Sequence, residues 1–259
     1  MNKLGIDAGA TFIKLAYEEH GNFHYKRYPI EEADSLFNWI KMVSPHADVV
    51  LTGGGAGGLK RNYFPDAEVI DEFSAAAAGA KILHQIPEPF LLISIGTGTS
   101  ILHVEKGTAE RVSGTAMGGG TFLGLGKLLT GKTVYKDLVD LAVKGDRKKA
   151  DLLVSDVYDG QDQAPLLGEL SASNFAKAFN DEINESAKMA ALVNMIAETI
   201  YLLVIAGSAQ QKLPMAFIGA GASNPALRKQ LETYAEMFDF KSIFIENGEY
   251  SGAVGALYF

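Results

Sequence analysis

The order of strand-like and helix-like segments predicts an α/β fold made of two similar βββαβα halves that face each other across a cleft. Residues 3–30 and 90–115 each contain three successive strand-like runs, and helix-like and strand-like segments alternate after each set. Both halves also begin with the same local order, which is an apolar strand, a loop of small residues and a second strand. This shared order indicates an internal duplication.

The first half is predicted from alternating apolar residues in its strands and from a 3.6-residue apolar period in its helices. Its elements are, in order, strands at 3–7, 11–18 and 23–30, a helix at 31–43, strands at 47–53 and 67–71, and a helix at 72–86 that is dense in small residues. Residues 87–90 (PEPF) are typical of a hinge. We therefore predict an N-terminal domain over 1–88 and a C-terminal domain over 89–259.

The second half repeats the three strands and adds a larger helical part. Its predicted elements are strands at 90–96, 100–106 and 109–115, helices between 117 and 145, a polar segment at 155–172, a helix at 184–212, a strand at 214–220, a helix at 225–238, a strand at 241–246 and a helix at 250–259. Asn184 or Ser186 is expected to cap the long helix. The last helix is free to pack back toward the first half.

The composition is that of an ordinary globular protein: 47% of the 259 residues are hydrophobic and 21% are charged. Cysteine is absent, which excludes disulfides and thiolate metal ligands and fits a reducing cytoplasm. The net charge of −8 argues against nucleic acid or an anionic membrane as the main partner. We identify no apolar run of membrane-spanning length. His20 and His24 flank a predicted turn, which disfavours zinc.

Three loops rich in glycine share one form: IDAGATFIK at 6–14, ISIGTGTSI at 93–101 and FIGAGASNPALR at 217–228. Glycine allows the backbone to approach a ligand closely, so that successive N–H groups can converge on phosphate oxygens. Hydroxyl groups of Thr11, Thr97 and Thr99 could add donors. One such loop alone is as well explained by a tight hairpin. Three of them, two at equivalent places in the halves, favour a phosphate site.

Two further glycine patterns match known motifs, but not all of the strands and helices that should flank those motifs are predicted beside them. GKLLTGKT at 126–133 fits the P-loop pattern, but it lies in a helix-like segment and Gly131 is expected to end that helix. GGGAGG at 53–58 fits a dinucleotide-binding pattern, but Asp71 follows too soon for the usual crossover helix. We expect the second loop to pass close to a ligand or to another backbone segment.

Four charged residues lie at the predicted cleft, and each has an alternative explanation. Asp7 ends the first strand, where a carboxylate can hold Mg²⁺ against phosphates or can stabilise a turn. Lys14 is a natural phosphate partner or an exposed strand residue. Glu72 can act as a general base or can favour the helix N-terminus through the dipole. Asp71 is the alternative candidate for the general base, but we expect it to be the helix cap.

Arg111 on the third strand of the second half can bind a carboxylate through two parallel hydrogen bonds. Its alternative is a surface ion pair with Glu110 or Asp151. Residues 118–120 (GGG) then begin a helix, whose N-terminus can also attract an anion.

Several of these segments together resemble the type II pantothenate kinases, over nearly the whole chain from residue 4 to residue 258. The matching segments are IDAGATFIK, LTGGGAG, DEFSAAAAG, IGTGTS, RVSGTAMGGGTFLGLGKLL and ENGEYSGAVGAL. This family is part of the actin-like, sugar kinase and Hsp70 ATPase superfamily, so the resemblance implies a duplicated ribonuclease H-like fold with a nucleotide cleft. It also implies phosphorylation of pantothenate by ATP with Mg²⁺, the first step toward coenzyme A, in a cytoplasmic homodimer.

The resemblance implies roles for individual residues. Glu72 is the implied catalytic base, Ser100 and Arg111 are implied to contact pantothenate, and Asp7 is implied to hold Mg²⁺ directly or through water. The residues implied to contact ATP are Asp7, Ala8, Gly9, Ala10, Thr11, Phe12, Ile13, Lys14, Thr97, Gly119, Gly120, Thr121, Phe122, Leu123, Tyr135 and Ala220. The helix over 184–212 is the implied dimer element.

The sequence departs from the family pattern at two positions. Ala10 replaces the second glycine of the first loop, and Ala220 stands where relatives can carry a serine that faces the nucleotide. A small sugar or N-acetylhexosamine kinase of the same superfamily is the alternative enzyme. An ATP-switched partner protein is the alternative from another class, although activators of that kind hold an iron–sulfur cluster with cysteines and chaperone relatives carry large insertions.

Overall fold

The computed structural model describes residues 3–158, 167–179, 182–207 and 212–259. Two mixed sheets of five strands each form its framework, together with a short two-stranded sheet. The strands are β1 Lys3–Ala8, β2 Phe12–Glu19, β3 Asn22–Pro29, β4 Asp48–Thr52, β5 Glu68–Val69, β6 Phe90–Ile95, β7 Thr99–Glu105, β8 Thr108–Thr115, β9 Leu152–Leu153, β10 Ser171–Ser173, β11 Met215–Ile218 and β12 Ser242–Phe244.

The helices cover the faces of both sheets. They are α1 Ala33–Val43, α2 Ala56–Asn62, α3 Glu72–His84, α4 Gly119–Thr130, α5 Tyr135–Lys144, α6 Val154–Tyr158, α7 Glu185–Gly207, α8 Pro225–Phe238 and α9 Ser251–Ala256. A 3₁₀ turn at Ile30–Glu32 precedes α1, and another at Gly248–Tyr250 precedes α9.

The two large sheets have the same topology. The first has the order β3-β2-β1-β4-β5 and the second has the order β8-β7-β6-β11-β12. In each sheet the first three strands are antiparallel, and the remaining two run parallel to the central strand. The predicted α/β fold with two similar halves is therefore confirmed.

The end helix of each half packs on the sheet of the other half. Ala76, Ala77 and Ala80 of α3 share a core with β6, β7 and β11 of the second sheet. Conversely, Ala253 and Val254 of α9 pack against β2 of the first sheet. The two sheets are thus joined by packing as well as by the chain connection at 85–89.

Glycines let α3 and α9 cross at very short distance. A Cβ atom at Gly79 would lie 1.9 Å from the carbonyl oxygen of Ser251, and one at Gly255 would lie 1.8 Å from that of Ala75. Since real Cβ contacts are never this short, neither position accepts a side chain unless the helices move apart. The small residues of α3, which the sequence analysis noted, therefore fix how the two halves meet.

The long apolar helix α7 is the central helix of the second core. Its buried residues include Leu192, Ile196, Ile200 and Tyr201, and its N-terminus is capped by Asn184, whose Oδ1 accepts a hydrogen bond of 2.8 Å from the amide of Ala187. By length and composition α7 could cross a membrane, which corrects our expectation that no apolar run reaches membrane-spanning length. Because 61% of its apolar window is buried by the rest of the chain, it is accounted for as a core helix.

Other differences from the predicted elements are local. Residues 56–62 form α2 between the fourth and fifth strands, where the predicted order allows a helix but no bounds were given, because the five glycines of 53–58 leave too few apolar residues to show a helical period. The predicted polar segment at 155–172 contains part of α6 and the start of β10, with 159–166 outside the described residues. The region 117–145 divides into α4 and α5 at Gly131, which has a φ of 72° and ends α4 as expected. The P-loop-like stretch GKLLTGKT at 126–133 begins inside α4 and runs past its end, and it does not join a strand to a helix, so it is not a P-loop.

Candidate active site

The first glycine loop is the tip of the β1–β2 hairpin, closed by a 3.1 Å hydrogen bond from the amide of Gly9 to the carbonyl of Phe12. Asp7 and Lys14 lie directly opposite each other on the two strands, on the same face of the sheet. Lys14 Nζ lies 3.3 Å from Asp7 Oδ2, and both side chains are mostly buried, at 17% and 14% exposed. The loop therefore ends in a partly desolvated ion pair at the cleft.

The first two glycine loops meet across the cleft. Thr11 Oγ1 lies 3.2 Å from Thr97 Oγ1, although the residues are 86 positions apart in the chain. Within the described residues, the amides of Ala10 and Thr11, and those of Thr97 and Gly98, have no protein acceptor. Four free N–H groups therefore lie on two adjoining loop tips, which is the arrangement that binds phosphate oxygens.

The start of α4 supports the second loop. The amides of Gly119 and Gly120 donate hydrogen bonds of 2.8 and 2.9 Å to the carbonyls of Gly96 and Thr97. These two amides therefore hold the loop and are not free for an anion, which limits the role predicted for the N-terminus of this helix. The hydroxyl of Thr99 donates to the carbonyl of Met117 at 2.8 Å, so this threonine is structural and not a ligand donor.

The glycine segment after β4 lies against the carboxylate of Asp7. Gly53 has a φ of 87°, and a Cβ atom there would lie 2.6 Å from Asp7 Oδ1. A Cβ atom at Gly252 would lie 3.0 Å from Asp7 Oδ2, and the amide of Gly55 donates to the carbonyl of Ala8 at 3.0 Å. The GGGAGG segment therefore makes the close backbone approach that its composition predicted, and Gly252 is a site position that the sequence analysis missed.

Glu72 begins α3 and faces the same group of charges. Asp71 is the N-cap, because its Oδ1 accepts a 2.9 Å hydrogen bond from the amide of Ser74. Partial burial is the main cause that raises the pKa of Glu72 above its ordinary value. The negative charges of Asp7 and Asp71 raise this pKa further, and the ammonium group of Lys14 opposes the rise. A carboxylate with a raised pKa at a cleft is suited to accept a proton.

Ser100 and Arg111 lie together on the second sheet. Arg111 Nε donates to Ser100 Oγ at 3.4 Å, and the guanidinium group occupies the space that a side chain at Gly114 would need. Neither Glu110 nor Asp151, the two alternatives considered from sequence, forms an ion pair with Arg111 among the described residues. Asp151 is buried and pairs with Arg147.

The bulge in β8 explains how Arg111 reaches this position. Gly114 pairs with Ser100 and Ser113 pairs with Ile101, but Arg111 pairs with Leu102, so one residue of β8 is unpaired. A bulge of this kind turns the strand locally and redirects a side chain. Ser100 and Leu102 lie on the same face of the second sheet, and α3 packs on Leu102. Ser100 and the Arg111 side chain that it contacts therefore lie on the α3 side of this sheet.

The third glycine loop closes the opposite side of the cleft. Gly219 has a φ of 89°, and the amide of Gly221 donates to the carbonyl of Ile95 at 2.9 Å, which joins this loop to the base of the second loop. Ala220 at its tip is partly exposed. Asn224, which caps α8, also lies beside the phenol group of Tyr135 and lowers its pKa against the larger rise from burial. Asn224 was not singled out from the sequence, although an asparagine directly before a proline is a recognisable cap signal.

Two predicted nucleotide contacts have side chains that point away from the cleft. Ile13 is fully buried in the core of the first half, and Phe122 is 3% exposed in the second core. Phe122 instead supports Tyr135, since their ring centroids lie 5.8 Å apart in an edge-to-face contact. Leu123, on the other side of α4, is exposed.

The model of the family described as Fumble matches residues 72–259. A type II pantothenate kinase of Oceanobacillus iheyensis is 38% identical over 266 aligned residues, which cover 99% of each chain. The type II pantothenate kinase of Staphylococcus aureus strain USA300 is 34% identical and is matched over 98% of its length.

Solved structures show the same fold at lower identity. Component A of the (R)-2-hydroxyglutaryl-CoA dehydratase of Acidaminococcus fermentans superposes with a TM-score of 0.70 at 20% identity, over 98% of this chain and 95% of the other. The activator of the 2-hydroxyisocaproyl-CoA dehydratase of Clostridium difficile, solved with ADPNP, has a TM-score of 0.68 at 19% identity, over 99% and 93% of the two chains. The relatives that match over nearly the whole length of this chain are type II pantothenate kinases, and the fold and the cleft described above are consistent with them. The chain therefore belongs to the type II pantothenate kinase family.

Proposed function

We propose that the chain transfers the γ-phosphoryl group of ATP to the hydroxyl group of pantothenate, with Glu72 as the general base. Its family membership gives the reaction, which is phosphorylation of pantothenate. The observation that supports the role of Glu72 is the convergence of this carboxylate with Asp7 and Lys14 at one point of the cleft. The free loop amides beside them provide a place for the phosphate chain.

The phosphate chain of ATP is proposed to lie between the two loop tips. The amides of Ala10, Thr11, Thr97 and Gly98 can each donate to phosphate oxygens, and Lys14 adds a positive charge. The adenosine part then extends toward the third loop, past Tyr135 and Ala220. In this arrangement the protein positions the two substrates and offsets charge, which is most of what phosphoryl transfer requires.

In the chemical step, the hydroxyl oxygen of pantothenate forms a bond with the γ-phosphorus atom. The bond between that phosphorus and the oxygen that bridges it to the β-phosphate breaks, and ADP leaves with the bonding electrons. Glu72 accepts the proton of the hydroxyl group as the new bond forms. The raised pKa of Glu72 makes its carboxylate a stronger base.

The donor set fits a Mg²⁺ ion that is shared with the nucleotide. Within the described residues, His, Asp and Glu side chains form no group of three that would hold a metal ion alone. Asp7 can supply one carboxylate, directly or through water, and Mg²⁺ typically takes few protein ligands and completes its shell with phosphate oxygens and water. When bound, the ion would offset the negative charge of the phosphates.

Pantothenate is proposed to bind with its carboxylate at Arg111 and a polar group at Ser100. Arg111 is exposed, and among the described residues no acidic side chain pairs with it, so its guanidinium group is available to a ligand carboxylate. Ser100 keeps the Arg111 side chain on the α3 side of the sheet, which is the side where Glu72 begins the helix.

We also propose that the enzyme is a cytoplasmic homodimer, as the family resemblance implies. Most of α7 is buried in its own chain, so only exposed positions such as Leu202 remain for contact with a second copy. Light scattering during size-exclusion chromatography would give twice the 27.7 kDa chain mass for a dimer. A mass of one chain at micromolar concentration would contradict the proposed dimer.

A coupled assay of ADP release tests the proposed reaction. The wild-type protein should release ADP with pantothenate, but not with glucose, N-acetylglucosamine or N-acetylmannosamine. Glu72→Gln should reduce kcat by roughly 100-fold to 10,000-fold, the usual contribution of a general base, while calorimetry shows unchanged ATP binding. Release with a sugar and not with pantothenate would contradict the assigned substrate, and near-normal turnover of Glu72→Gln would contradict the assigned base.

A further inference from the structure

A second cation lies in the same row of the first sheet as Asp7 and Lys14. Asp7 on β1 pairs with Lys14 on β2, and Lys14 pairs with Arg27 on β3. Residues directly opposite each other in antiparallel strands share a face of the sheet. Arg27 therefore continues the charged row of the site to the edge strand, on the face that borders the cleft.

The guanidinium group of Arg27 lies beside the first phosphate loop. It sits over the ring of Phe12, 4.8 Å from the ring centroid. Phe12 follows Thr11, which meets Thr97 across the cleft. Stacking on an aromatic ring orients a guanidinium plane and leaves its N–H groups free at the edges. Among the described residues, no carboxylate forms an ion pair with Arg27, so its positive charge is not neutralised by a neighbouring side chain there.

Arg27 also faces the second half. The phenol group of Tyr135, at the start of α5, has a raised pKa, mainly through partial burial, and the positive charge of Arg27 opposes that rise. Tyr135 is the residue that Asn224 and the third loop hold at the opposite side of the cleft. Arg27 and Tyr135 thus border the same opening from different halves.

The charges around the cleft leave a need for such a cation. Asp7, Asp71 and Glu72 contribute three carboxylates to the first-half side, and Lys14 is the ammonium group among them. Lys14 is also paired with Asp7 at 3.3 Å. A polyanion such as a nucleoside triphosphate would be repelled by this group unless positive charge lay beside it, and Arg27 adds a charge of the protein to that of the Mg²⁺ ion proposed at Asp7.

We propose that Arg27 binds the phosphate chain of the nucleotide from the edge of the first sheet. This proposal rests on the nucleotide binding of the proposed function, but not on the identity of the acceptor substrate. Arg27 acts beside Lys14 and does not contact the hydroxyl group that Glu72 deprotonates. Its loss should therefore weaken nucleotide binding more than it slows the chemical step.

The test is calorimetric binding of ATP, ADP and adenosine to the full chain carrying Arg27→Ala, Arg27→Lys or Lys26→Ala. Lys26 is a matched control, since it is an exposed cation on the same strand whose side chain lies on the opposite face, where it pairs with Leu15. Arg27→Ala should weaken ATP and ADP binding roughly tenfold to hundredfold, the usual effect of losing a charge-assisted hydrogen bond, and leave adenosine binding unchanged. Arg27→Lys should restore part of the loss, and Lys26→Ala should match the wild type.

Steady-state kinetics with pantothenate complete the test. Arg27→Ala should raise KM for ATP by a similar factor, with kcat and KM for pantothenate within a few-fold of the wild type. Equal ATP binding by Arg27→Ala and Lys26→Ala would overturn the proposal, as would an equal loss of adenosine binding, which would indicate a merely structural role. If the wild type binds ADP but does not phosphorylate pantothenate, the proposed function fails, and the binding comparison still decides the role of Arg27.

Discussion

Glu72 shows how burial and neighbouring charges set the pKa of a site residue. Its carboxylate is the first residue of a helix, where the dipole favours negative charge, but partial burial and two nearby carboxylates oppose ionisation. The net effect is a raised pKa. Asp71 contributes to this effect while its structural task is to cap the helix. The two tasks of Asp71 can therefore be separated by mutation.

The variant Asp71→Asn is predicted to shift the pH dependence of activity. Asparagine caps a helix about as well as aspartate but carries no charge, so α3 is retained and one cause of the raised pKa of Glu72 disappears. The pKa of Glu72 then falls, and the base stays ionised to lower pH. The acid limb of kcat/KM against pH should therefore move to lower pH than in the wild type.

The control for this shift is Asp48→Asn. Asp48 is an exposed carboxylate at the opposite end of β4 from the cleft, so the variant makes the same change in net charge without a neighbour at Glu72. Its profile should overlay that of the wild type. An acid limb that does not move in Asp71→Asn, or that moves to higher pH, would contradict the electrostatic account of Glu72.

For single residues, the sequence indicates which charged residues lie at the cleft better than it indicates the direction in which a side chain points. The sequence left a structural explanation open for Asp7, Lys14 and Glu72, and the structure brings these three charges together at the cleft while their roles stay predictions. Phe122 was assigned to the nucleotide but is buried beneath Tyr135. Its direction depends on which face of α4 meets the core, and the GGTFLG segment has too few apolar residues to fix that face.

At the scale of elements, the crossing of α3 and α9 holds the two ends of the cleft in place. α3 positions Glu72, and α9 positions Gly252 beside the carboxylate of Asp7. The two helices approach so closely because Gly79 and Gly255 bring backbone against backbone. Any loss of this contact should move Glu72 relative to Asp7 and should therefore affect activity as well as stability.

The variant Gly79→Ala is predicted to be strongly destabilising. Its Cβ atom would lie 1.9 Å from the carbonyl oxygen of Ser251 and 2.8 Å from the amide nitrogen of Gly255, so the helices must separate. Overpacking of a core typically costs about 1–3 kcal/mol, and contact with rigid backbone places this variant at the upper end. Urea denaturation should show a free energy of unfolding lower by about 3 kcal/mol, and kcat should fall with it.

A glycine in an open part of another helix provides the comparison. Gly124 lies within α4, and a Cβ atom there would have no neighbour within 4 Å. Because alanine favours a helix over glycine by about 1 kcal/mol, Gly124→Ala should be neutral or slightly stabilising. If Gly79→Ala unfolds at the same urea concentration as Gly124→Ala, the close crossing of α3 and α9 does not determine stability.

The elements themselves were largely predictable, but their partners were not. Alternating apolar residues located the antiparallel strands, and their order gave the duplicated topology. The sequence allowed for the return of α9 to the first half, but not for the packing of α3 on the second sheet, because the alanines and glycines of α3 would suit packing on either sheet. Short elements such as α2 and β9 have too few residues for a period to stand out.

At the scale of the whole molecule, the fold and the function are separate questions. A dehydratase component and a dehydratase activator share this fold at 20% and 19% identity, while the type II pantothenate kinases are 34–38% identical over 99% of this chain. One fold can serve proteins of different function, so the architecture alone does not give the function of this chain. The motifs at the cleft and the full-length relatives make that choice.

The exchange of end helices leads to a final prediction, which is that both halves unfold together. Each half has one core of its own, but residues of α3 cover the other face of the second sheet and residues of α9 cover the other face of the first sheet, so neither half alone keeps both faces of its sheet covered. Scanning calorimetry should show one transition whose calorimetric and van't Hoff enthalpies agree. ADP at one hundred times its Kd should raise the stability by about 2.7 kcal/mol and should shift that single transition upward without splitting it. Two resolved transitions, or a shift by ADP of only part of the heat absorption, would mean that the halves are independent domains and that the contact of α3 with α9 does not couple them.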